Sequence, residues 1–309
     1  MRGAGANLPP AALRNDSFDA PFSVHLEGSR TMTGGIGEAK VEFAVSSDGT
    51  RIAFEMQGSG EPVILIGGAS NDRRSRIAGL PMAELLAHRF CVISYDRRGR
   101  GDSGHKEPYA AEREIEDLVA LGTAAGGPVH LFGHSSGGAL ALLAATHGLP
   151  ARSIAVYEPP YNMSEEDVAA GEAATSRLEA LIAAGDLDAA QAHFMAMVGL
   201  PEQMIAGARQ SAWWPGLVRI AWTLPHEHRI LAAGAGTRVP VALIGKIAVP
   251  VLAMAGTKSP AWMQDAARLV ADTAIRGRFK AVEGADHGVA PEIVAPLLAE
   301  FFGGIPSTA

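Results

Sequence analysis

The sequence contains a single cysteine, few aromatic residues and no long apolar run. Cys91 has no other thiol in the chain to pair with, and its apolar neighbours predict a small buried side chain rather than a reactive one. No apolar stretch approaches the roughly 20 residues of a membrane-spanning helix. The N-terminal segment also lacks the apolar centre of a secretion signal. These absences predict a cytoplasmic protein that does not enter a membrane.

The sequence also has fewer positively charged than negatively charged residues. The 33 Asp and Glu residues outnumber the 26 Lys and Arg residues, so the net charge is −7. A chain with two short arginine-rich stretches and an acidic balance has no basic surface with which to bind a phosphate backbone. We therefore expect a small-molecule substrate, with no nucleic-acid or membrane partner. The oligomeric state is left open, and a homodimer is one option.

The order of apolar segments predicts an α/β fold with a helical insertion. Residues 1–38, rich in Gly, Pro, Ala and Ser, indicate a flexible N-terminal extension. In residues 39–161 and 241–309, buried strands alternate with helices, which is typical of a mostly parallel central sheet flanked by helices. Residues 162–240 lack strand signals and have an Ala-rich helical pattern that starts after Ser164, so we predict an all-helical insertion.

The segment "VHLFGHSSGGALALLAA" carries the clearest chemical signal. A predicted strand at 129–132 leads into GHSSG at residues 133–137 and directly into a predicted helix. The outer glycines allow a sharp strand-to-helix turn that projects Ser135 above the sheet, close to a helix N-terminus. We predict that Ser135 is a nucleophile, with an ordinary structural turn as the alternative. His134 is expected to point into the protein body.

Four motifs together resemble the α/β-hydrolase family over about residues 41–302. They are "LIGGASN" after the third predicted strand, "YDRRGRGDSG" after the fourth, "GHSSG", and "EGADHG" before the last helix. The motifs follow the family's order and spacing, so the resemblance is specific for the fold and much less so for the substrate. It implies an α/β-hydrolase fold in which the helical insertion forms a cap domain.

The resemblance also implies a catalytic base and an oxyanion hole. His287, placed before the last helix, matches the family's catalytic histidine. One oxyanion donor should be the backbone N–H of Ser136, the residue after the nucleophile. Ala69 matches the position of the second donor, although this chain has Gly67-Gly68 where the family often has His-Gly. A plain glycine turn is the alternative there.

The acid of the family's triad is missing from its usual place. The aspartate that the family commonly carries before a proline is replaced by Ser259, which has no charge. Glu158 lies at the end of the strand after the nucleophile helix, where some haloalkane dehalogenase-like relatives place their acid, and we predict that it replaces the aspartate. Asp286 is too close to its neighbouring histidine to bend back to it. An ion pair that supports Pro159-Pro160, or a Ser-His dyad, remains an alternative.

Other residues give weaker signals. His226 and His228 have no convergent ligands, so no metal and no cofactor is expected. The loop that starts at Asp96-Arg97 is expected to brace the rim of the site. The predicted substrate-binding residues are Gly68, Trp213, Trp214 and Trp222. Because apolar residues at helical spacing also form helical cores, a packing role for the tryptophans stays open.

The sequence thus predicts a serine hydrolase that cleaves an ester or thioester of a medium-sized apolar molecule through an acyl-enzyme. Since this fold supports many reactions, a non-hydrolytic acyltransferase, cyclase, lyase or cofactor-free perhydrolase is an alternative. A ligand receptor without catalysis is a further one.

Overall fold

A computed structural model describes residues 40–305. Residues 1–39 and 306–309 lie outside this range, and with them the predicted N-terminal extension at residues 1–38. The strands are β1 Glu42–Val45, β2 Arg51–Gln57, β3 Glu61–Ile66, β4 Phe90–Tyr95, β5 Val129–His134, β6 Ala151–Tyr157, β7 Val251–Gly256 and β8 Gly277–Val282. The helices are α1 Leu80–Leu86, α2 Ala111–Ala124, α3 Ser136–Thr146, α4 Glu165–Ala183, α5 Leu187–Met197, α6 Glu202–Arg209, α7 Trp214–Ile220, α8 Pro225–Ala235, α9 Val241–Ile244, α10 Ala261–Thr273 and α11 Pro291–Gly303, with a 3₁₀ turn at Ala221–Thr223.

The strands of the described chain form one mostly parallel sheet in the order β1-β2-β4-β3-β5-β6-β7-β8. Strand β2 pairs antiparallel with β1 and β4, and the other pairs are parallel. The β1–β2 hairpin turns at Asp48-Gly49, as the sequence predicts, with Gly49 at a φ of 79°. Strands β5 and β7 are buried along their whole length, because helices cover both faces of the sheet.

The carboxyl ends of β3, β5, β6 and β7 meet at one edge of the sheet because these strands run parallel. The "LIGGASN" and "GHSSG" motifs follow β3 and β5 directly, and Glu158 follows β6. Open α/β sheets bind ligands at this edge. The topology therefore brings these sequence motifs together although they lie far apart in the sequence.

Helices α4 to α9 interrupt the alternation between β6 and β7. The two ends of this helical insertion are joined by a bridge between Asn162 and Arg238, and the backbone N–H of Asn162 donates to the carbonyl of Thr237 at 2.8 Å. Within residues 40–305, no helix combines the length and the apolar character needed to cross a membrane. Cys91, in β4, is only partly buried, which is less than its apolar neighbours predict.

Replacing Ser164 by Ala should lower the free energy of unfolding by about 1 kcal/mol, because Ser164 is the N-cap of α4 and its hydroxyl accepts from the backbone N–H of Asp167 at 3.1 Å. Chemical denaturation measures the change. Ser176→Ala is the matched control: it removes an exposed hydroxyl from the interior of the same helix and should cost less than half as much. Equal losses in the two variants would contradict the capping role.

Candidate active site

Ser135 occupies the strained turn between β5 and α3. Its φ of 57° and ψ of −131° lie in a region that side chains rarely adopt, at a cost of roughly 1–3 kcal/mol. A Cβ at Gly133 would lie 2.3 Å from the carbonyl oxygen of Gly137, and one at Gly137 would lie 2.2 Å from that of Ile66. Both glycines of the motif are therefore required by close backbone approach, and the turn leaves Ser135 partly exposed.

His287 and Glu158 are in direct contact. Nδ1 of His287 lies 2.7 Å from Oε2 of Glu158, and Oε1 of Glu158 accepts from the backbone N–H of Gly256 at 2.7 Å. Glu158 is completely buried and has a positive φ of 47°, just after the end of β6. An ionised carboxylate only accepts hydrogen bonds, so this pairing places a proton on Nδ1 of His287. Nε2 is then available as a base.

Residues 259 and 286, the two other positions considered for the triad acid, have different surroundings. Ser259 is buried in the loop after β7, and its hydroxyl has no hydrogen-bond partner among the described residues. The carboxylate of Asp286 accepts from the backbone N–H of Gly288 at 2.9 Å, while its carbonyl accepts from the Tyr157 hydroxyl at 2.7 Å. Asp286 thus stabilises the turn that carries His287, and Glu158 is the carboxylate on its ring.

His134 lies below the turn and supports His287. Its Nε2 is 2.9 Å from the carbonyl oxygen of His287, and the two ring centroids are 4.8 Å apart. Burial, and secondarily the proximity of the His287 ring, lowers the pKa of His134 to about 3. His134 is therefore neutral near pH 7, and the geometry is that of an Nε2–H donating to the His287 carbonyl.

The glycine loop after β3 lies directly against the turn at Ser135. A Cβ at Gly68 would lie 2.8 Å from Cβ of Ser135 and 3.4 Å from its Oγ, so only a glycine allows this approach. Ala69, the next residue, packs against an apolar cluster of the helical insertion. We call it the insertion cluster: Leu178, Leu181, Ile182, Leu187, Ala190, Phe194, Ala221 and Leu224.

Four arginines that follow β3 or β4 are almost completely buried. Arg73, Arg97, Arg98 and Arg100 are each at most 2% exposed, so none contributes to a basic surface. Each pairs with carboxylates, as a buried charge requires: Arg73 with Glu55, Asp96 and Asp102, Arg97 with Glu114 and Glu227, Arg98 with Asp48 and Asp117, and Arg100 with Glu227. Arg97, Arg98 and Arg100 lie in the loop that starts at Asp96, and their buried ion pairs fix this loop, whose role at the rim of the site stays a prediction.

Glu227 links the helical insertion to the predicted oxyanion hole. It lies in α8, is 5% exposed, and accepts from the guanidinium groups of Arg97 and Arg100 and from the hydroxyl of Ser136. Burial alone would raise the pKa of Glu227, but Arg100 and Arg97 hold it below its usual value. Sequence patterns missed this role, because nothing local marks a carboxylate whose partners lie 91 to 130 residues away.

Trp213 and Trp214, two of the three predicted substrate-binding tryptophans, are neighbours with 6.4 Å between their ring centroids, whereas Trp222 contacts other residues. Trp214 packs with Met195 in a core of the helical insertion, and its Nε1 donates to Asp188 at 2.6 Å. Trp213 lines a cavity of about 200 Å³ in the same region. Trp222 makes an edge contact with the ring of His105, with 4.6 Å between centroids. The structure thus pairs Trp213 with Trp214 and places Trp222 against His105, and the binding role of all three stays a prediction.

A sequence profile of the alpha/beta hydrolase family matches residues 63–297, which is more than half of the chain. The chain belongs to the α/β-hydrolase family. This membership confirms the predicted fold class, a mostly parallel sheet flanked by helices with a helical insertion. Within the described residues of this hydrolase, no group of three His, Cys, Asp or Glu side chains could hold a metal ion.

Solved structures show the same fold. An alpha/beta hydrolase from Sphaerobacter thermophilus DSM 20745 is 45% identical, with a TM-score of 0.76 over 84% of this chain and 100% of that one. The esterase RhEst1 from Rhodococcus sp. ECU1013 is 21% identical, with a TM-score of 0.62 over 86% and 99% of the two chains. A thermophilic esterase from Thermogutta terrifontis is 21% identical, with a TM-score of 0.61 over 87% and 100%. Among curated proteins, none matches this sequence.

The depressed pKa of His134 predicts a loss of stability in acid. Its pKa is about 3 in the folded protein and 6.5 in the unfolded chain, so the unfolded chain binds the extra proton between these values. The stability that neutral His134 contributes is complete above pH 6.5 and is lost as the pH falls toward 3. His134→Gln should therefore gain on the wild type by up to about 1.4 kcal/mol per pH unit below 6.5.

Urea denaturation at pH 7, 6 and 5 measures this difference. His147→Gln, at an exposed position, is the control for loss of a histidine as such. Parallel stability curves for the wild type and His134→Gln would contradict the assignment.

Proposed function

We propose that this α/β-hydrolase is a serine hydrolase that cleaves esters or thioesters of medium-sized apolar molecules. The observation that carries the proposal is the 2.7 Å contact between His287 and the buried Glu158. His287 also contacts His134, the residue that precedes the serine held at a φ of 57°. A base oriented by a carboxylate, next to a serine on a strained turn, is the arrangement of a nucleophilic triad. Ser135 is the proposed nucleophile, His287 the base and Glu158 the acid.

The first half of the proposed reaction acylates Ser135. Nε2 of His287 takes the hydroxyl proton while Oγ attacks the carbonyl carbon, and the carbonyl electron pair moves onto its oxygen. The backbone N–H groups of Ala69 and Ser136 donate to that oxyanion. When the tetrahedral intermediate collapses, the proton passes from His287 to the leaving alcohol or thiol. Glu158 stabilises the imidazolium in between.

The second half releases the acid. Nε2 of His287 removes a proton from water, and the hydroxide oxygen attacks the acyl carbon. The C–Oγ bond then breaks and Ser135 recovers its proton from His287. The scheme needs neither metal nor cofactor, because the three side chains and two backbone donors carry every proton and charge.

The apolar character of the proposed substrate is supported by the insertion cluster. Ala69, a proposed oxyanion donor, packs against this cluster, so an acyl chain that enters from the donor side meets aliphatic and phenyl side chains. We propose on this basis that the helical insertion acts as the cap and provides the acyl pocket. A cytoplasmic location is likewise proposed, from the composition of the sequence.

A fluorophosphonate should label Ser135 covalently, because its phosphorus imitates the acyl centre and the hydroxyl is activated by His287. Mass spectrometry of the peptide that contains residue 135 detects the adduct. Ser135→Ala should not be labelled, and the label on the wild type should disappear on prior denaturation. A folded wild-type protein that stays unlabelled would refute the nucleophile and favour a receptor without catalysis.

Glu158→Gln should lower kcat for p-nitrophenyl butyrate by roughly 10³–10⁴-fold, because an amide cannot fix the tautomer or stabilise the imidazolium. The glutamine keeps the size of the side chain, so circular dichroism should report a folded protein. Asp286→Asn is the matched control: it neutralises the carboxylate next in sequence to His287 and should stay within a fewfold of the wild type. If the two variants lose activity equally, Glu158 is not the acid.

A further inference from the structure

The proposed oxyanion hole is held from outside the hydrolase core, through Glu227 of the helical insertion. Glu227 lies in α8, whereas the two proposed donors follow β3 and β5. Its carboxylate nevertheless reaches the side chain of Ser136, one of the donor residues, by accepting its hydroxyl proton. A single buried carboxylate of the insertion is therefore in contact with one half of the hole.

The other half is reached through Arg100. The same carboxylate binds the Arg100 guanidinium, which donates to the carbonyl oxygen of Gly68 at 2.7 Å. That carbonyl and the N–H of Ala69 belong to one peptide group, which is planar, so the two bonds point in opposite directions. Fixing the Gly68 oxygen thus fixes the direction of the Ala69 N–H. A cation on the oxygen also polarises the peptide and makes its N–H a better donor.

Further contacts limit the freedom of the loop. Arg97, which also pairs with Glu227 at 2.9 Å, donates to the carbonyl of Gly67 at 3.3 Å. Arg100 donates in addition to the Thr223 hydroxyl of the insertion at 3.3 Å. The loop glycines have no side chains of their own to anchor them, so these guanidinium contacts are what orients their peptides. Among the described residues, Glu227 is the one carboxylate that pairs with Arg100, and it shares Arg97 with Glu114.

We propose that Glu227 is a positioning residue that aligns both oxyanion donors, through Ser136 on one side and through Arg100 and the Gly68 peptide on the other. The inference rests on the proposed serine-hydrolase function. It makes the helical insertion part of the catalytic apparatus rather than only a cover or a source of specificity. Because oxyanion donors act on the tetrahedral state, a displaced hole weakens that state more than the bound ester.

The test compares kcat/KM for p-nitrophenyl butyrate with the inhibition constant Ki of butylboronic acid. The boronate accepts Ser135 Oγ on boron and places an oxygen in the hole, so it imitates the tetrahedral state. In Glu227→Gln, kcat/KM should fall roughly 10–100-fold and Ki should rise by a similar factor. A merely structural role would reduce the fraction of folded enzyme, which lowers the rate but leaves Ki unchanged.

Asp117→Asn is the matched control. Asp117 is 1% exposed and pairs with the buried Arg98, so the variant also removes a buried carboxylate from an arginine, but Asp117 has no contact with the glycine loop. Its Ki should stay within about twofold of the wild type. Equal Ki values for Glu227→Gln and Asp117→Asn would overturn the inference.

Two further results complete the test. If circular dichroism shows that Glu227→Gln does not fold, the Ki of the Ser136→Ala variant tests the inference in its place. It removes only the hydroxyl that Glu227 accepts and keeps the backbone donor, so a severalfold rise in Ki supports the inference and an unchanged Ki overturns it. A folded wild type that neither binds the boronate nor reacts with a fluorophosphonate overturns the proposed function itself, and the inference with it.

Discussion

The hydrogen bond between Glu158 and His287 is the interaction on which the site depends. A carboxylate removed from water is costly unless fixed donors surround it, and here Nδ1 of His287 and the backbone N–H of Gly256 face its two oxygens. Because Gly256 ends β7 and Glu158 follows β6, the carboxylate also ties two neighbouring strands together at the edge where the motifs meet. His287 itself is held from two sides, by this carboxylate at its ring and by His134 at its carbonyl. The orientation of the His287 ring thus depends on three separate segments of the chain, which contain Glu158, Gly256 and His134.

Strain and close backbone approach are concentrated in the same place. Ser135 and Glu158 both have positive φ values, and they follow the adjacent strands β5 and β6. Such backbone conformations persist only where the surroundings over-determine them. The buried ends of the parallel strands supply that rigidity, since their backbone groups are paired on both sides. The sheet therefore serves as a stiff base, and the loops at its carboxyl edge carry the chemistry.

Much of this arrangement is visible in the sequence because it depends on local chemistry. The strand–GHSSG–helix pattern predicts the turn at Ser135, since the glycines are needed for contacts within a few residues. Ser259 in the family's usual acid position, together with the resemblance to relatives that place their acid after β6, points to Glu158, and the structure places that carboxylate on the ring of His287. Other features have no local signal. Strand β8 is a half-exposed edge strand without an apolar run, and Glu227 acts on residues that are distant in sequence. Trp213 and Trp214 pack in one core of the helical insertion while Trp222 contacts His105, because helical packing and not residue type decides where each ring lies.

The ion pairs of Glu227 also have a consequence for how the molecule can be recombined. A chimaera in which a relative's helices replace α4 to α9 would lose the carboxylate that neutralises Arg100 and one of the two that neutralise Arg97, and would leave the desolvated Arg100 guanidinium without its carboxylate partner. Exchange of α4 to α7 alone leaves that neutralisation in place. The part of the helical insertion that can be exchanged is therefore α4 to α7, and α8 must be kept together with the loops of the sheet edge that it contacts.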